Sequence, residues 1–297
     1  MAGTIDSHVH LYPPEVNADP GGWAAAQGEA RWAGLCLRRR RDGAAVQGFP
    51  GLDGLLAAMD AAGVDRAVLQ GWYWQNPASC ARQNRFYAAC IRDHPDRLSA
   101  VATFHPGGGR EAALLEVRRA WSEGLRGLGE LSPHSQGYAA RDPVFSEVLA
   151  EAAALRLPVT LHVTDPAGRA YPGRVETPLA DFVGLAADHP GVRFVLAHWG
   201  GLLPLRLPAA AGPSNIYYDT AASPLVADPG IWRRFIGAVG ADRVLFGSDF
   251  PLNNHPGLDR EPGMERLLAE ARGAGLRGEE LGALLGGNAE KLFCNPG

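Results

Sequence analysis

Two histidines near the start of the chain have the spacing of a metal-binding pair. His8 and His10 lie two residues apart in residues 5–11, an alternating run that is typical of a β-strand. Successive side chains of a strand point to opposite faces, so both imidazoles share one face and can bind one divalent metal ion. Taken alone, such a pair supports a metal site only weakly, because a solvated turn histidine next to a core histidine explains it as well or better. The metal hypothesis therefore depends on further ligands elsewhere in the chain.

Four more residues of ligand or proton-transfer type follow later apolar runs, each where a strand is expected to end. They are Glu130, His162, His198 and Asp249. Each has an ordinary explanation of its own, as a turn residue, a core histidine, a helix terminus or an N-cap. Together they would place imidazoles and carboxylates at one end of the sheet, where the strands finish. Without a metal, each unpaired buried charge there would cost on the order of several kcal/mol.

The alternation of strands and helices along the chain explains why these residues would meet at one end of the sheet. Strands are predicted at residues 5–11, 65–70, 98–104, 126–131, 158–163, 192–198, 215–220 and 243–249, with helical spacing between them. This alternation indicates one α/β domain, residues 1–297, folded as a (β/α)8 TIM barrel with its chemistry at the carboxyl ends of the strands. An open doubly wound sheet is the alternative, but no glycine-rich phosphate motif follows the first strand.

A long segment, residues 12–50, separates the first strand from this regular alternation. It contains Trp23, Trp32 and four consecutive arginines at positions 38–41. We predict a long loop insertion, ordered by its tryptophans, that serves as a lid or a subunit contact. The arginine run is interpreted as a solvated face, with binding of an anionic substrate group as the alternative.

Composition and charge argue against several classes of function. The chain has a formal net charge of −4 and no apolar run long enough for a transmembrane helix, so neither nucleic acid nor a membrane is expected as a partner. The start of the chain lacks the pattern of a secretory signal, which predicts a cytoplasmic protein. The four cysteines form no C-x-x-C pair and are predicted to be reduced. A small molecule is the expected partner.

In their order along the chain, the motifs resemble those of the amidohydrolase superfamily. The resemblance rests on Asp6-Ser7-His8-Val9-His10, Leu161-His162-Val163, Leu196-Ala197-His198-Trp199-Gly200-Gly201 and Leu245-Phe246-Gly247-Ser248-Asp249-Phe250-Pro251. The chain is similar to the branch of aminocarboxymuconate semialdehyde decarboxylase, the resorcylate decarboxylases and pyrone dicarboxylate lactonase. The resemblance implies as metal ligands His8, His10, His162 and Asp249. It implies that His198 lies beside the metal and that Asp249 and His198 are the catalytic residues.

The position at the end of the fourth strand leaves the metal count open. Other branches of the superfamily bridge two metals there with a carboxylated lysine, but the only lysine of this chain, Lys291, lies in the last predicted helix. Glu130 occupies the position instead and is the fifth predicted metal-site residue. We expect one divalent metal, zinc first and manganese second, with a second metal if Glu130 bridges. The resemblance also suggests a homodimer.

Hydrolysis is the leading hypothesis for the reaction. A metal-activated water would attack a lactone, amide or ester, with Asp249 accepting its proton and His198 stabilising the oxyanion. The alternative on the same scaffold is non-oxidative decarboxylation of a small carboxylated aromatic or muconate-like substrate. A non-catalytic metal-binding barrel is the third hypothesis. The candidates for substrate contact are Trp72, His134 and Trp199.

Overall fold

The computed structural model describes residues 3–207 and 213–294, in which short strands alternate with helices. The strands are β1 (Ile5–Val9), β2 (Arg66–Leu69), β3 (Leu98–Ala100), β4 (Leu128–Leu131), β5 (Val159–Leu161), β6 (Phe194–Leu196), β7 (Ile216–Asp219) and β8 (Val244–Leu245). The helices are α1 (Pro14–Ala18), α2 (Pro20–Gln27), α3 (Ala30–Cys36), α4 (Leu52–Ala62), α5 (Pro77–Asp93), α6 (Arg110–Ser122), α7 (Pro133–Gln136), α8 (Pro143–Ala154), α9 (Leu179–Asp188), α10 (Leu203–Arg206), α11 (Ser223–Val226), α12 (Ile231–Val239), α13 (Glu265–Arg272) and α14 (Gly278–Gly282). Within these ranges, no helix has the length and apolar character needed to cross a membrane.

The strands pair in parallel and in chain order. Strands β1, β2 and β3 form one sheet in that order, and β4, β5, β6, β7 and β8 form a second sheet in that order. The two sheets meet at two edges, β3 beside β4 and β8 beside β1. A single parallel bridge links them at each edge, between Ala102 after β3 and Leu128 of β4, and between Phe250 after β8 and Val9 of β1. A backbone hydrogen bond of 2.8 Å from Ser7 N to Phe246 O supports the second junction. This order confirms the predicted (β/α)8 fold class.

Local sequence explains why a helix such as α8 begins where it does and which face it buries. The Asp142 carboxylate accepts backbone N–H bonds from Val144 at 2.8 Å and from Phe145 at 3.1 Å, as an N-cap should. The residues that α8 buries recur at helical spacing: Phe145, Val148, Leu149 and Ala152. Burying each large apolar side chain contributes about 1.5–3 kcal/mol. Helices held by one apolar face in this way fix the strands, and hence the strand ends, relative to one another.

The insertion after β1 contains three short helices, α1 to α3, where the sequence predicts irregular structure. Aromatic side chains of the insertion and of the segment after β2 form one cluster: Tyr12, Trp23, Trp32, Phe49, Trp72 and Trp74. Such a cluster supplies the packing that helices of 5–8 residues cannot provide alone. Glu29, fully buried between α2 and α3, accepts backbone N–H bonds from Gln75 at 2.8 Å and Asn76 at 3.1 Å, just before α5. The insertion is thereby joined to the barrel.

Candidate metal centre

The carboxyl ends of the strands carry two adjoining groups of potential metal ligands. One group contains His8, His10 and Asp249. The other contains Glu130, His162 and His198. Within each group, one ligand atom of every residue lies within 4.8 Å of the others. The structure therefore brings the five predicted ligands and His198 to one end of the barrel, with His162 in the second group rather than beside the histidine pair.

The two histidines of β1 present facing nitrogens, since His8 Nε2 and His10 Nε2 lie 3.1 Å apart. The Nδ1–H of His8 donates to Asp219 Oδ2 at 2.8 Å, and the Nδ1–H of His10 donates to the Gln70 carbonyl at 3.1 Å. These acceptors assign both tautomers and leave the Nε2 lone pairs directed at one point. Asp249 Oδ1 lies 3.4 Å from His10 Nε2. Facing lone pairs repel unless a cation or a proton lies between them, so this donor set fits a divalent metal.

Asp219, the last residue of β7, is a site residue that was not predicted from the sequence. It is buried, and besides His8 its Oδ1 accepts backbone N–H bonds from His198 and Ala221, both at 3.0 Å. One carboxylate therefore orients a candidate ligand and the turn that carries His198. A signal was present in the sequence, because Asp219 is an acidic residue at the end of the seventh predicted strand.

Glu130, a member of the second group, also reaches toward the first. Its Oε1 is 3.0 Å from His162 Nδ1 and 3.4 Å from His198 Nε2. Its Oε2 is 3.7 Å from His10 Nε2 and 3.9 Å from His8 Nε2. One carboxylate oxygen faces each group, so Glu130 can act as a metal ligand or as the hydrogen-bond partner of a protonated histidine.

Three buried groups of the site, His8, His198 and Glu130, favour their charged forms. Burial lowers the pKa of His8, but the nearby carboxylates, Asp219 foremost, more than offset it and raise the pKa to about 10. Burial also lowers the pKa of His198, and Glu130 outweighs it and raises the pKa to about 9. Burial raises the pKa of Glu130, yet His162 and His198 hold that pKa well below its usual value. Protons therefore lie between imidazoles and carboxylates, where a cation would replace them.

The backbone at both predicted catalytic residues is in the left-handed region. His198 has a φ of 57° and Asp249 a φ of 66°. This conformation costs a residue with a side chain about 1–2 kcal/mol. Residues 198–202 all have φ between 54° and 62°, which makes them a left-handed turn between β6 and α10. Surrounding contacts hold this strain, including the Asp249 N–H bond to the His8 carbonyl at 2.9 Å.

A cavity of about 990 Å³ opens over both groups. Its buried end is lined by His10, Glu130, His162, His198 and Asp249. Trp72 and Tyr73 form an aromatic wall, with ring centroids 4.4 Å apart and an interplanar angle of 25°. Trp72 also contacts the His10 ring edge-on, at a centroid distance of 5.1 Å. An aromatic wall beside a cluster of metal ligands suits a planar small molecule.

The arginine run also lines this cavity. Positions 38–41 lie on a hairpin closed by an antiparallel bridge between Arg39 and Ala45 and by a 2.8 Å bond from Arg40 N to Ala44 O. Two more arginines of the lining, Arg169 and Arg174, follow β5. The run thus contributes guanidinium groups to the cavity lining, although Arg39 and Arg41 are themselves exposed.

Among the described residues that were predicted to contact substrate, Trp72 lines the cavity, whereas Trp199 and His134 do not. Trp199 is fully buried and meets Trp232 edge-on at a centroid distance of 5.2 Å, because the left-handed turn directs it into the core. His134 lies in α7 and hydrogen-bonds Asp181 Oδ2 in α9 at 2.8 Å. These placements correct the expectation that Trp199 and His134 line the substrate site.

The chain matches a known protein family, a curated relative and several solved structures. The family model described as Amidohydrolase matches residues 5–294. A curated relative, 6-methylsalicylic acid decarboxylase of Penicillium expansum, is 23% identical over 303 residues, covering 86% of this chain and 87% of that protein. Among solved structures, 2,6-dihydroxybenzoate decarboxylase from Rhizobium has a TM-score of 0.66 and 20% identity, covering 100% of both chains. The 5-carboxyvanillate decarboxylase of Novosphingobium aromaticivorans, complexed with manganese and 4-hydroxy-3-methoxy-5-nitrobenzoic acid, has a TM-score of 0.74 and 16% identity, covering 98% of this chain and 96% of that chain.

These relatives correct the leading hypothesis for the reaction. The curated relative and both solved structures are decarboxylases, so hydrolysis of a lactone, amide or ester gives way to the alternative. Groups of metal-binding residues are present and a similar structure holds manganese, whereas zinc has no specific support. The family model spans the chain from the start of β1 to Cys294, the last described residue, and this enzyme therefore belongs to the amidohydrolase family.

Proposed function

We propose that the protein is a metal-dependent, non-oxidative decarboxylase of a small planar acid, aromatic or muconate-like. The observation that carries the proposal is the cavity, which joins the ligand groups at its buried end to an aromatic wall and to arginines. The reacting carboxylate lies at the ligand groups, and the planar body of the acid lies against Trp72 and Tyr73. The decarboxylases among the relatives support the same reaction class.

The ligand groups would hold one divalent cation. His8, His10 and Asp249 supply the first set of donors, and Glu130 and His162 are the further ligands. A bound cation would supply a Lewis acid that anchors the oxygen atoms of the substrate. Mixed imidazole and carboxylate donors suit zinc and manganese alike. Manganese is preferred here because a relative of the same fold holds it, and a stoichiometry of two per chain would instead make Glu130 a bridge.

His198, with Asp249 beside it, supplies the proton that replaces carbon dioxide. The bond between the carboxylate carbon and its neighbour breaks, the electron pair stays on that neighbouring carbon, and a proton adds there as carbon dioxide leaves. Asp249 Oδ2 lies 3.9 Å from His198 Nδ1. His198 Nδ1 also lies 3.1 Å from the Ala221 carbonyl, which orients the ring, and Glu130 Oε1 approaches its Nε2. This arrangement supports His198 as the general acid at the buried end of the cavity, with Asp249 as its neighbour.

Carbon dioxide release tests the proposal. The manganese-loaded protein should release carbon dioxide from one or more acids of a panel of hydroxylated benzoates and carboxylated vanillates. His198→Asn and Asp249→Asn should each lower kcat by about 10²-fold or more, since the first removes the proton donor and the second removes a metal ligand that lies beside it. The matched control is His134→Asn, which changes a histidine outside the cavity and should keep kcat within about twofold.

Two further readouts sharpen this test. In deuterated water, the product should carry one deuterium at the carbon that lost the carboxylate. A folded, metal-loaded protein that releases carbon dioxide from no acid of the panel would overturn the proposed function.

A further inference from the structure

Asp6 is a fully buried acidic residue of β1, two positions before His8. It is not part of the cavity lining, so its role is not contact with a substrate. Burying a carboxylate is unfavourable unless hydrogen bonds compensate for the lost water. The groups that donate to Asp6 should therefore show why an acid occupies this position.

A single oxygen of Asp6 accepts two backbone hydrogen bonds. Oδ1 accepts the His8 N–H at 3.1 Å and the Ser248 N–H at 2.9 Å. The first donor belongs to a candidate metal ligand, and the second directly precedes another one, Asp249. One oxygen therefore connects the backbone at two ligands that come from opposite ends of the chain.

These bonds lie where regular strand pairing is sparse. Strand β8 contains only Val244–Leu245, and a single bridge between Val9 and Phe250 joins the segment after it to β1. Gly247 approaches β1 so closely that an added Cβ would lie 2.7 Å from His8 Cβ. The side chain of Asp6 thus supplies, for the buried N–H that follows Gly247, the acceptor that a strand carbonyl would supply in a ladder.

The backbone of Asp249 depends on support of this kind. Its φ of 66° lies in the left-handed region, which a residue with a side chain keeps only when its surroundings hold it. The Asp249 N–H donates to the His8 carbonyl at 2.9 Å. The consecutive N–H groups of Ser248 and Asp249 are therefore both held by β1, one by the Asp6 side chain and one by the backbone. Together the two bonds fix the peptide unit between them, and with it the direction of the Asp249 side chain.

The second oxygen of Asp6 has no comparable contact. Oδ2 is buried and has no hydrogen-bond partner within residues 3–207 and 213–294. Asp219, by contrast, accepts hydrogen bonds with both of its oxygens. The described contacts of Asp6 therefore require one acceptor oxygen at a fixed place, which the amide of an asparagine would also provide.

We propose that Asp6 is a positioning residue of the metal centre. Its Oδ1 holds the backbone at His8 and Ser248, and thereby sets the spacing between the His8 imidazole and the Asp249 carboxylate. His8 Nε2 and Asp249 Oδ1 lie 3.8 Å apart, a separation that one cation can bridge. The inference rests on the metal centre of the proposed function, but not on the reaction catalysed there.

Two substitutions separate the place of the acceptor from its charge. Asp6→Asn keeps an oxygen in position and removes the charge, whereas Asp6→Glu keeps the charge and moves the oxygens by one methylene group. Competition with a chelator measures the manganese dissociation constant of each folded variant. Asp6→Asn should remain within about threefold of wild type, and Asp6→Glu should bind manganese about 10–100-fold more weakly, the usual effect of disturbing a partner of a metal ligand.

Asp6→Ala provides the same test if the larger glutamate prevents folding. It removes the acceptor without adding volume and should weaken manganese binding at least about tenfold. Ser7→Ala is the matched control, because Ser7 Oγ donates to the Phe246 carbonyl at 2.8 Å between the same two segments. It loses a buried hydrogen bond but leaves the bonds of Asp6 in place, so its manganese affinity should stay within about twofold of wild type.

Urea denaturation of the metal-free variants separates positioning from stability alone. A merely structural role would lower the free energy of unfolding in Asp6→Ala and leave the manganese affinity of the folded protein unchanged. That result would overturn the inference. Equal weakening by Asp6→Asn and Asp6→Ala would also overturn it, because the charge rather than the placed oxygen would then be what matters.

The outcomes also separate this inference from the proposed function. The predicted order of manganese affinities can hold in a protein that releases no carbon dioxide from any acid, which would remove the proposed function and support the role of Asp6. Release of carbon dioxide with an unchanged manganese affinity in Asp6→Ala would do the reverse. A wild-type protein that binds no manganese would overturn both.

Discussion

At the scale of single residues, the role of His8 depends on the bond it makes away from the other ligands. Its Nδ1–H is held by Asp219 Oδ2 at 2.8 Å, so Nε2 is the nitrogen left for a metal. The other oxygen of Asp219 accepts two backbone N–H bonds, from His198 and Ala221. The His8 imidazole and the His198 and Ala221 backbone N–H groups all donate to Asp219. Both oxygens of the side chain must therefore be acceptors, which only a carboxylate provides.

Asp219→Asn should weaken metal binding about 10–100-fold, the usual effect of removing such a partner of a metal-bound histidine. The amide must point its NH2 group either at His8 Nδ1–H or at the two backbone donors, and either contact is donor against donor. Competition with a chelator measures the metal dissociation constant without reference to turnover. Asp188→Asn, which changes an exposed carboxylate paired with Arg141, is the control. An affinity unchanged by Asp219→Asn would refute the positioning role.

At the scale of elements, the left-handed turn after β6 determines where His198 and Trp199 point. Residues 198–202 all have positive φ and so do not form a right-handed helix. Gly200 and Gly201 adopt positive φ at the least cost, because glycine has no side chain. Gly200 also lies against the Tyr218 ring, so it has both a conformational and a steric reason to lack a side chain. The turn is therefore a closely packed support for His198, the proposed general acid.

Gly200→Ala should destabilise the fold by about 2–4 kcal/mol, which combines left-handed strain with overpacking. An added Cβ would lie 2.7 Å from Tyr218 Cδ1 and 3.2 Å from Leu196 Cβ. Urea denaturation measures the loss. The matched control is Gly237→Ala within α12, where a Cβ meets no atom within 4 Å and should stabilise by about 0.4–1 kcal/mol. Equal stability of the two variants would contradict the steric account.

At the scale of the whole molecule, the ligand set joins the two ends of the strand order. His8 and His10 belong to β1 and its continuation, whereas Asp249 follows β8. Val9 and Phe250 pair at the same junction through a single bridge. A cation bound by these residues would reinforce the junction where the ladder itself is short.

Metal binding should accordingly raise the melting temperature. At a free manganese concentration of about 100 times the dissociation constant, the native state gains about 2.7 kcal/mol, which corresponds to roughly 5 °C for a chain of this size. Calorimetric scans with and without a chelator measure the shift. His10→Gln should abolish it, and His94→Gln, at the end of α5, should retain it. A melting temperature indifferent to manganese would argue against a metal centre.

The parts of the site that could be predicted from the sequence are those governed by local rules. Strand periodicity and strand ends locate His8, His10, Glu130, His162, His198 and Asp249, because each lies on or next to its own apolar run. The contact between Arg38 and Tyr171 joins two segments after different strands, and no local pattern predicts it. Trp199 was misplaced for a different reason, since a run of positive φ reverses the direction of a side chain beside a motif.

Glu29 determines how the insertion can be exchanged between related proteins. Its carboxylate binds the backbone of Gln75 and Asn76, and in return the Gln75 side chain accepts the Arg31 N–H bond at 2.9 Å. Two stretches about 45 residues apart thus share one set of reciprocal contacts. A chimera that grafts a new insertion onto this barrel would have to transfer the start of α5 with it, so the modular unit is larger than the loop.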